Sequence, residues 1–313
     1  MVADAKVFVV VPVFERLTHT RECIAQLRQQ TYPNIEIVIV DGGSRDGSVD
    51  ELRRCDGITL IADVGEQWWT GATWFGIDHA LRNGTDDDYV MLLNNDTTFP
   101  EDMISVLISE SRRLDAVVAP IAVAADGSVV NSGVWIDWST YAITQRMGDA
   151  GLPLSSWSVD AMEGRGTLIP LRMVRRAGNV AKSTLPHYAA DYEFTLRLAR
   201  CGFPLRMTNR TTITVDWGAS RMAQYWQRAT FARLWWELTD RRSFINLGDH
   251  FTLIDAAGPT RGRRTLKVRL VARRLMWAAR RSKARELPGV DTAILTVRWI
   301  ARRGSLRPED RRE

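Results

Sequence analysis

The sequence predicts an α/β fold, in which a mostly parallel sheet is flanked by helices and followed by a helical C-terminal region. Short apolar runs rich in β-branched residues alternate with helical patterns in the first part of the chain. The connections between them are short, which favours parallel strands joined by right-handed crossovers. From about residue 221 the pattern stays helical to the end.

Each element follows from the periodicity of its apolar residues. The predicted strands are 7–13, 35–40, 58–62, 89–93, 116–122, 129–136 and 213–216. The predicted helices are 18–30, 48–54, 73–82, 100–113 and 188–201. Ser48 is the expected cap of the second helix, and Gly202 is expected to end the last one. Residues 137–160, rich in Ser, Gly, Trp and Tyr, are expected to form a loop or hairpin that lines a site.

Length and composition limit the class of protein. With 313 residues, 45% of them hydrophobic, the chain can form one large α/β domain with an appendage or two modest domains. We expect domains at 1–220 and 221–313. The 3 cysteines lack the spacing of a disulfide framework or a zinc site, which fits a reducing compartment. We expect no signal peptide, and no apolar stretch reaches the roughly 18 residues that a membrane span needs.

Charge is divided unequally along the chain. Residues 259–313 carry 17 Lys and Arg against 5 Asp and Glu, whereas residues 1–258 carry 25 against 32. A basic tail on a mildly acidic body predicts an anionic partner, either a membrane surface or a polyanion. Nucleic acid is not expected, because no recognised binding module accompanies the charge.

Polar residues follow several predicted strands at the point where each strand ends. These segments are Pro-Val-Phe-Glu-Arg at 12–16, Asp-Gly-Gly-Ser at 41–44, Asn-Asn-Asp at 94–96 and, further on, Ala-Asp-Tyr-Glu at 190–193. Any one acid of this kind is as readily a turn or cap residue. Because the carboxyl ends of parallel strands meet at one edge of a sheet, the segments together predict a ligand site at that edge.

The order and spacing of these segments resemble those of the family 2 glycosyltransferases over roughly residues 5–220. The resemblance implies a GT-A fold, which is Rossmann-like, and sugar transfer from a nucleotide-diphosphate sugar. Segment 41–48 is similar to the family's Asp-Gly-Ser-x-Asp-Gly signature, 94–96 to its Asp-x-Asp metal motif and 190–193 to its Glu-Asp catalytic motif. Trp-Trp-Thr-Gly-Ala at 68–72 is most similar to rhamnosyltransferase-like members of bacterial polysaccharide assembly.

The resemblance assigns nucleotide binding to the first two segments and to one residue of the third. The residues concerned are Pro12, Val13, Glu15, Asp41, Gly42 and Asn95. Asp41 can accept a hydrogen bond from the N3–H group of uracil or of thymine, so it does not distinguish UDP from dTDP. Its alternative role is to cap the turn that follows it.

Asp96, together with Asn94, is expected to hold Mg²⁺ or Mn²⁺ at the diphosphate. Hard cations prefer oxygen ligands and complete their shell with phosphates and water. The neutral Asn94 stands where the family has its first acid, so metal affinity is expected to be low or to need the nucleotide. Asp216 is a further candidate ligand, and the alternative is that Asn-Asn-Asp only forms a turn.

Asp191 is the candidate general base, which takes the proton of the acceptor hydroxyl during inverting transfer. Its alternative role is to cap the helix that follows. On that helix Glu193 would point about 200° away from Asp191, so the two are expected to differ in role. The alternatives for Glu193 are a sugar contact and an ion pair with Arg197.

Aromatic and glycine-rich stretches are expected to contact the donor or acceptor sugar. Indole rings stack on the apolar faces of sugars and donate an N–H group. The residues concerned are Trp68, Trp69, Thr70, Gly71, Arg165 and Gly166. The alternatives are ordinary core packing for any single tryptophan and a plain turn for the glycines.

The basic tail contains a helical pattern at 265–281 with two apolar stripes separated by Lys and Arg. One stripe can dock on the catalytic domain while the other enters an anionic membrane interface, with the basic side chains reaching the headgroups. A second such helix is predicted at 290–301. The alternative is a helical appendage or a contact within a homodimer.

The sequence therefore predicts a metal-dependent, inverting hexosyl- or deoxyhexosyltransferase of cell-surface polysaccharide synthesis. Its donor would be UDP- or dTDP-linked, its acceptor a saccharide or a lipid-linked saccharide, and its location the cytoplasm, peripheral on the inner face of the cell membrane. Asn94 favours one alternative, a non-catalytic nucleotide-sugar or carbohydrate-binding scaffold of the same fold. A nucleotidyltransferase is disfavoured, because the loop after the first strand lacks the glycines and basic residues that would hold a triphosphate.

Overall fold

The structure is a computed structural model that describes residues 4–62, 64–65, 67–145, 155–215 and 230–281. The strands are β1 (Val7–Val13), β2 (Ile35–Asp41), β3 (Ile58–Ile61), β4 (Tyr89–Leu92), β5 (Thr97–Thr98), β6 (Val117–Val123), β7 (Val129–Asn131), β8 (Val134–Asp137), β9 (Ala142–Gln145), β10 (Ser156–Ser158), β11 (Thr167–Pro170) and β12 (Leu205–Val215). The helices are α1 (Leu17–Arg28), α2 (Ser48–Leu52), α3 (Trp69–Asn83), α4 (Met103–Leu114), α5 (Leu171–Ala177), α6 (Ala190–Arg200), α7 (Phe231–Thr239), α8 (Leu247–Ala257) and α9 (Arg263–Arg281).

The main sheet is mixed but mostly parallel, in the order β10-β12-β6-β11-β4-β1-β2-β3. Strand β1 lies between β2 and β4 and is parallel to both, and β3 is parallel to β2. Strand β11 runs antiparallel between β4 and β6. Strands β5 and β7 pair with β12 and β6, while β8 and β9 form a separate two-stranded sheet. The predicted α/β fold class is confirmed.

Both faces of this sheet are covered, as the β-branched runs predict for buried parallel strands. Val9 and Val11 of β1 belong to a core cluster with residues of α1 and α4, whereas Phe8 and Val10 belong to a cluster with residues of α3, α5 and α6. Helix α3 lies close to β1 because Gly76 has no side chain: a Cβ atom there would be 2.2 Å from Val10 Cγ1.

Several element boundaries differ from those expected. Helix α3 begins at Trp69, four residues earlier than predicted, so 69–71 form its first turn instead of a loop. The strand expected at 129–136 is two strands, separated at Gly133, whose φ of 117° lies in the left-handed region that favours glycine. The capping role of Ser48 is wrong: Gly47 precedes α2, and the Ser48 hydroxyl donates to Asp46 instead.

The described residues divide into two compact units. One comprises 4–135 and 144–215, and the other comprises 136–143 and 230–281. In the second unit α9 packs against α8, and Leu266 and Leu270 of α9 are buried. The expected domain boundary at 220 and the helix expected at 290–301 lie outside the described residues. Within the described part of the chain, no helix combines the length and apolarity that a membrane crossing requires.

Candidate active site at the carboxyl edge of the sheet

The connections that carry the predicted site residues start from one edge of the main sheet. The parallel strands β1, β2 and β4 all end there, so residues 14–16, 42–44 and 93–96 follow at the same edge. Strand β11 is antiparallel, with its first residue, Thr167, opposite Leu92 at the end of β4. The segment 163–166 before β11 therefore reaches the same edge, where ligands of open α/β sheets bind.

Asp41 ends β2, and its side chain is buried. Its Oδ1 atom accepts hydrogen bonds from the backbone N–H groups of Gly43 and Ser44, at 2.9 and 2.8 Å. Its Oδ2 atom is buried and accepts no hydrogen bond from the described residues. A buried acceptor without a donor is costly, and a ligand that donates a hydrogen bond removes the cost. Asp41 thus caps the turn with one oxygen, and a ligand contact of the other oxygen stays a prediction.

The backbone around Asp41 is tightly packed. Gly42 donates its N–H to the carbonyl of Val13 at 2.7 Å, and its carbonyl accepts from the N–H of Gln67 at 3.0 Å. A Cβ atom on Gly42 would lie 2.7 Å from the Gln67 carbonyl oxygen, so a side chain does not fit there. Pro12 and Val13 are themselves part of β1. Nucleotide contacts of these three residues stay a prediction.

The loop after β1 has an unusual backbone that is held by the loop after β2. Glu15 and Arg16 both have positive φ angles, 58° and 59°, which non-glycine residues rarely adopt. The N–H group of Glu15 donates to Ser44 Oγ at 2.6 Å. This bond joins the two connections that flank the predicted nucleotide site.

The Asn-Asn-Asp segment after β4 directs its three side chains to different partners. Asn94 Oδ1 accepts a hydrogen bond from the indole of Trp69 at 3.2 Å. Asn95 Nδ2 donates to Thr20 Oγ1 on α1 at 2.9 Å. The Asp96 carboxylate is exposed and forms an ion pair with Arg16, with an N–O distance of 3.0 Å. A nucleotide contact of Asn95 and a metal contact of Asn94 stay predictions.

The residues at this edge fit a divalent cation that binds together with a diphosphate. Asp96 supplies one exposed carboxylate, an oxygen donor of the kind that Mg²⁺ and Mn²⁺ prefer. In the described residues, no group of three or more His, Cys, Asp and Glu side chains could hold a metal alone. Magnesium sites commonly use one or two carboxylates with phosphates and water. Asp216, the further candidate ligand, lies outside the described residues.

Asp191 lies in the first turn of α6, a helix without a side-chain cap because Ala189 precedes it. Its Oδ1 atom accepts from the N–H of Tyr192 at 2.9 Å, and its Oδ2 atom accepts from the N–H of Gly164 at 3.3 Å. Burial, and then the negative charge of Glu163, raise the pKa of Asp191 to about 7. A carboxylate with such a pKa can take up a proton near neutral pH.

Glu163 and its partners were not identified from the sequence. Its Oε1 atom accepts a hydrogen bond from Gln145 Nε2 at 2.8 Å, and its Oε2 atom is 3.4 Å from Nε of Arg165. The same Gln145 nitrogen donates to the hydroxyl of Tyr192 at 2.8 Å. The signal available in the sequence is that Glu163 directly precedes the Gly-Arg-Gly stretch at 164–166, in which Arg165 and Gly166 were predicted to contact a sugar.

Glu193 is buried and forms the ion pair that was one of its two expected roles. Its two carboxylate oxygens lie 2.9 and 3.1 Å from Nε and Nη2 of Arg197. Arg197 also donates to the carbonyls of Gly178 and Asn179, each at 3.0 Å. The pair fastens α6 to the segment after α5, and a sugar contact of Glu193 stays a prediction.

The Trp-Trp-Thr-Gly segment starts α3. The Trp68 side chain is 43% exposed, with its ring 5.5 Å from that of His187. Trp69 packs on Gly164, where a Cβ atom would lie 2.4 Å from the indole. Thr70 and Gly71 are buried, and the Thr70 N–H donates to the Pro186 carbonyl at 3.1 Å. Of the four, Trp68 has the side chain that is open to a ligand.

Arg165 and Gly166 lie on the segment before β11. Gly166 has a φ of 74°, and a Cβ atom there would lie 3.0 Å from Pro120, so glycine is required by the turn itself. Arg165 is influenced electrostatically by Asp96 and Asp191 as well as by Glu163. Its guanidinium thus lies in the neighbourhood of both the metal-motif acid and the candidate base. Sugar contacts of Arg165 and Gly166 stay predictions.

Comparison with known proteins identifies similar proteins whose names mention succinoglycan biosynthesis or glycosyl transfer. The sequence model of "Glycosyl transferase family 2" matches residues 8–154. The succinoglycan biosynthesis protein ExoA of Rhizobium meliloti (strain 1021) is 25% identical over 238 residues, which cover 72% of this chain and 67% of ExoA. The glycosyltransferase GlyG of Streptococcus pneumoniae serotype 4 is 30% identical over 112 residues, 34% of this chain and 36% of GlyG.

Two solved structures share the fold. GalNAc-T7, solved with UDP, GalNAc and Mn²⁺, superposes with a TM-score of 0.56 at 14% identity, covering 68% of this chain and 43% of that one. The mannosyltransferase PcManGT of Pyrobaculum calidifontis, solved with GDP-Man and Mn²⁺, has a TM-score of 0.56 at 16% identity, covering 96% and 81%. The family model matches just under half of the chain, so the chain is similar to the family 2 glycosyltransferases over residues 8–154, and the two solved structures confirm the predicted GT-A fold.

Proposed function

We propose that the chain transfers a sugar, with inversion, from a UDP- or dTDP-linked donor to a hydroxyl group of a saccharide or lipid-linked acceptor in cell-surface polysaccharide synthesis. The observation that carries the proposal is Asp191, whose pKa of about 7 suits a general base at the edge of the sheet. The name of ExoA, a succinoglycan biosynthesis protein, supports the polysaccharide part. Similarity of residues 68–72 to rhamnosyltransferase-like proteins supports a deoxyhexose as the transferred sugar.

The proposed reaction is a single displacement. The acceptor oxygen forms a bond to the anomeric carbon while the bond from that carbon to the diphosphate oxygen breaks. The electron pair of the broken bond leaves with the diphosphate, and the proton of the acceptor hydroxyl moves to the Asp191 carboxylate. Proton transfer of this kind contributes roughly 10²–10⁴-fold to the rate.

Asp41 is proposed to hold the base of the donor. Its Oδ2 atom is buried and accepts no hydrogen bond from the described residues, so the N3–H group of uracil or thymine can complete it. Both bases carry this group, and therefore Asp41 accepts UDP and dTDP alike. The exposed indole of Trp68 is a platform on which a sugar ring can stack.

Mg²⁺ or Mn²⁺ is proposed to bind with the donor at Asp96. When bound, such a cation neutralises the charge that the diphosphate gains as it leaves. Both solved relatives described above contain Mn²⁺, which supports the use of a divalent metal. Asp96 would hold the cation, and Arg165, which interacts electrostatically with Asp96, would add positive charge for the diphosphate.

We further propose that the second unit attaches the enzyme to an anionic membrane surface, on the cytoplasmic face. Helix α9 has eight Lys and Arg residues and no acid among 19 residues. Val268 and Leu275 on this helix are 61% and 51% exposed. Exposed apolar side chains flanked by basic residues suit the boundary between headgroups and acyl chains.

The base assignment is tested with Asp191→Asn. We expect turnover of UDP- or dTDP-sugars with a panel of saccharide and polyprenyl-linked acceptors to fall about 10²–10⁴-fold. The affinity for UDP and dTDP, measured by calorimetry, should stay within about twofold of the wild-type value. The substitution removes the charge of Asp191 but no contact with uracil or thymine. Asp102→Asn, which alters an exposed acid, serves as the control. Turnover equal to that of the wild-type enzyme would exclude Asp191 as the base.

The alternative is a non-catalytic nucleotide-sugar or carbohydrate-binding scaffold of the same fold. One observation favours it: the amide oxygen of Asn94, at the position where the family has its first metal-binding acid, accepts a hydrogen bond from Trp69. Binding of nucleotide sugar to the wild-type protein without turnover, over the whole acceptor panel and with Mn²⁺ present, would support the scaffold.

A further inference from the structure

Asp191 has a second carboxyl group beside it that no proposed step uses. Glu163 directly precedes Gly164, whose backbone N–H donates to Asp191 Oδ2 at 3.3 Å. The negative charge of Glu163 acts on Asp191 more strongly than any other charge does. The two acids come from separate elements, the segment before β11 and the first turn of α6.

A hydrogen-bonded bridge holds Glu163 in this position. Gln145 at the end of β9 donates from the same nitrogen to Glu163 Oε1 and to the Tyr192 hydroxyl, at 2.8 Å each. Tyr192 is the neighbour of Asp191 in α6, so the bridge connects the acid on the loop to the helix that carries the base. Arg165 pairs with the other oxygen of Glu163 at 3.4 Å.

The charged and titratable groups around Asp191 act in opposite directions. Glu163 raises the pKa of Asp191, because a second negative charge disfavours ionisation, whereas Arg165 and the N–H groups of Tyr192 and Gly164 lower it. Burial holds the pKa of the Tyr192 hydroxyl well above its usual range, so this group stays protonated. Gln145 of β9 is neutral and does not titrate.

We propose that Glu163 is a positioning residue for the catalytic base, because it fixes Arg165 and, through Gln145, Tyr192 around Asp191. The negative charge of Glu163 acts in the same place and raises the pKa of Asp191. The proposal rests on the proposed role of Asp191 as the base. A carboxyl group with an ordinary pKa is a weak proton acceptor, whereas one that is raised to about 7 takes up the acceptor proton and returns it to water within the same pH range.

The test follows the Asp191 carboxyl group directly and needs no acceptor. In protein labelled with ¹³C at the aspartate carboxyl carbon, the Asp191 signal is assigned by its loss in Asp191→Asn and followed from pH 4 to pH 9. In Glu163→Gln the midpoint should move to a pH about one unit lower or more, because the like charge is gone. In Arg165→Gln it should move to a higher pH. Glu22→Gln removes an exposed acid on α1 and should leave the midpoint unchanged.

An unchanged or higher midpoint in Glu163→Gln would overturn the proposal. If that variant does not fold, Glu163→Ala makes the same prediction. In transfer assays the acidic limb of the pH profile of kcat/KM should move with the midpoint. A midpoint one unit lower makes the ionised fraction at pH 6 about fivefold larger, and the activity at pH 6 relative to pH 8 should rise accordingly.

The outcomes separate this inference from the function on which it rests. If Asp191→Asn retains turnover while Glu163→Gln moves the midpoint, the base assignment fails and the coupling between the two acids stands. If Asp191→Asn is inactive and Glu163→Gln leaves the titration midpoint of Asp191 unchanged, the assignment of Asp191 as the base holds and the proposed role of Glu163 is wrong.

Discussion

The two oxygens of Asp41 serve different purposes, and this division makes the residue a sensitive probe of the nucleotide. One oxygen accepts two backbone N–H groups and shapes the turn, while the other is buried without a donor among the described residues. A protein that leaves a carboxylate oxygen in this state bears a desolvation cost that a suitable ligand relieves.

Asp41→Asn should therefore change base preference more than stability. The amide oxygen is expected to keep the bonds to Gly43 and Ser44, which turns the amide NH₂ group towards the N3–H donor of uracil or thymine. Binding of UDP and dTDP, measured by calorimetry, should weaken about 10–100-fold, in line with a lost hydrogen bond to a charged group. CDP, whose N3 atom is an acceptor, should lose much less.

Asp46→Asn is the matched control for this change. Asp46 is an exposed acid in the same turn and caps the N–H of Ser48. The Asp46→Asn substitution should leave the UDP affinity unchanged. Equal affinities of the wild type and Asp41→Asn for UDP would contradict the assignment of Asp41 to the uracil or thymine site.

At the scale of elements, an ion pair joins two of the connections at the sheet edge. Arg16 in the loop between β1 and α1 pairs with Asp96 in the connection between β4 and β5. Both side chains are about half exposed, so the pair itself contributes little to stability. It does occupy the carboxylate that is proposed to hold the cation, and Arg16 therefore competes with the metal for Asp96.

Arg16→Ala should strengthen the effect of Mn²⁺ on nucleotide binding. We expect the ratio of UDP affinities with and without Mn²⁺ to rise about two- to fivefold, the range expected when an exposed ion pair no longer competes. In Asp96→Ala the ratio should fall to about one, because the carboxylate that is proposed to hold the cation is removed. Arg21→Ala, which breaks an exposed pair with Glu51 on α2, is the control. If the ratio in Asp96→Ala stays as high as in the wild type, the metal binds to other ligands and the assignment of Asp96 is wrong.

The predicted element boundaries are correct where apolar periodicity decides them. They are wrong where tertiary contacts decide where an element begins or ends. Strand β1 was predicted to the residue because Val7–Val13 is a β-branched run that the sheet buries. The start of α3 was missed, because Trp-Trp-Thr-Gly has weak intrinsic helix propensity. The Thr70 N–H in this turn donates to the carbonyl of Pro186, more than 100 residues away, and no local signal announces that bond.

At the scale of the whole molecule, the chain combines a mildly acidic GT-A region with a second unit that presents a basic helix. On α9 the two apolar stripes expected from the sequence differ in exposure: Leu266 and Leu270 are buried, while Val268 and Leu275 are exposed. This difference is what an interfacial helix needs, since one stripe anchors it in its own unit and the other stays open to lipid.

Replacing Val268 and Leu275 by Glu should weaken membrane binding without affecting the nucleotide site. We expect the full chain to bind vesicles of phosphatidylcholine with phosphatidylserine less strongly as salt rises. The double variant should bind them about tenfold or more weakly, as two apolar side chains no longer enter the lipid. Ser109→Glu, on the exposed face of α4, controls for the added charge. Equal vesicle binding of wild type and double variant would exclude this face, and a concentration-dependent dimer that the variant abolishes would indicate a homodimer contact instead.

The sequence by itself determined the fold class and the edge of the sheet at which the candidate residues lie. Both depend on local properties: β-branched runs and helical periodicity define the elements, and an acid after a parallel strand has to emerge at the carboxyl edge. Asp41 and Asp96 were predicted in this way, whereas Asp191 was predicted from the resemblance of 190–193 to the catalytic motif of the family 2 glycosyltransferases.

The tertiary structure alone decided which hydrogen-bond partners and which neighbouring charges these residues have. The Oδ2 atom of Asp41 without a donor, the Arg16 partner of Asp96, and Glu163 beside Asp191 all arise where segments distant in sequence meet. A pattern of residue types carries no information on which buried oxygen receives a donor or which two charges become neighbours. Burial and distances of a few ångströms set how strongly a buried oxygen binds a hydrogen-bond donor, and they set the pKa of a general base.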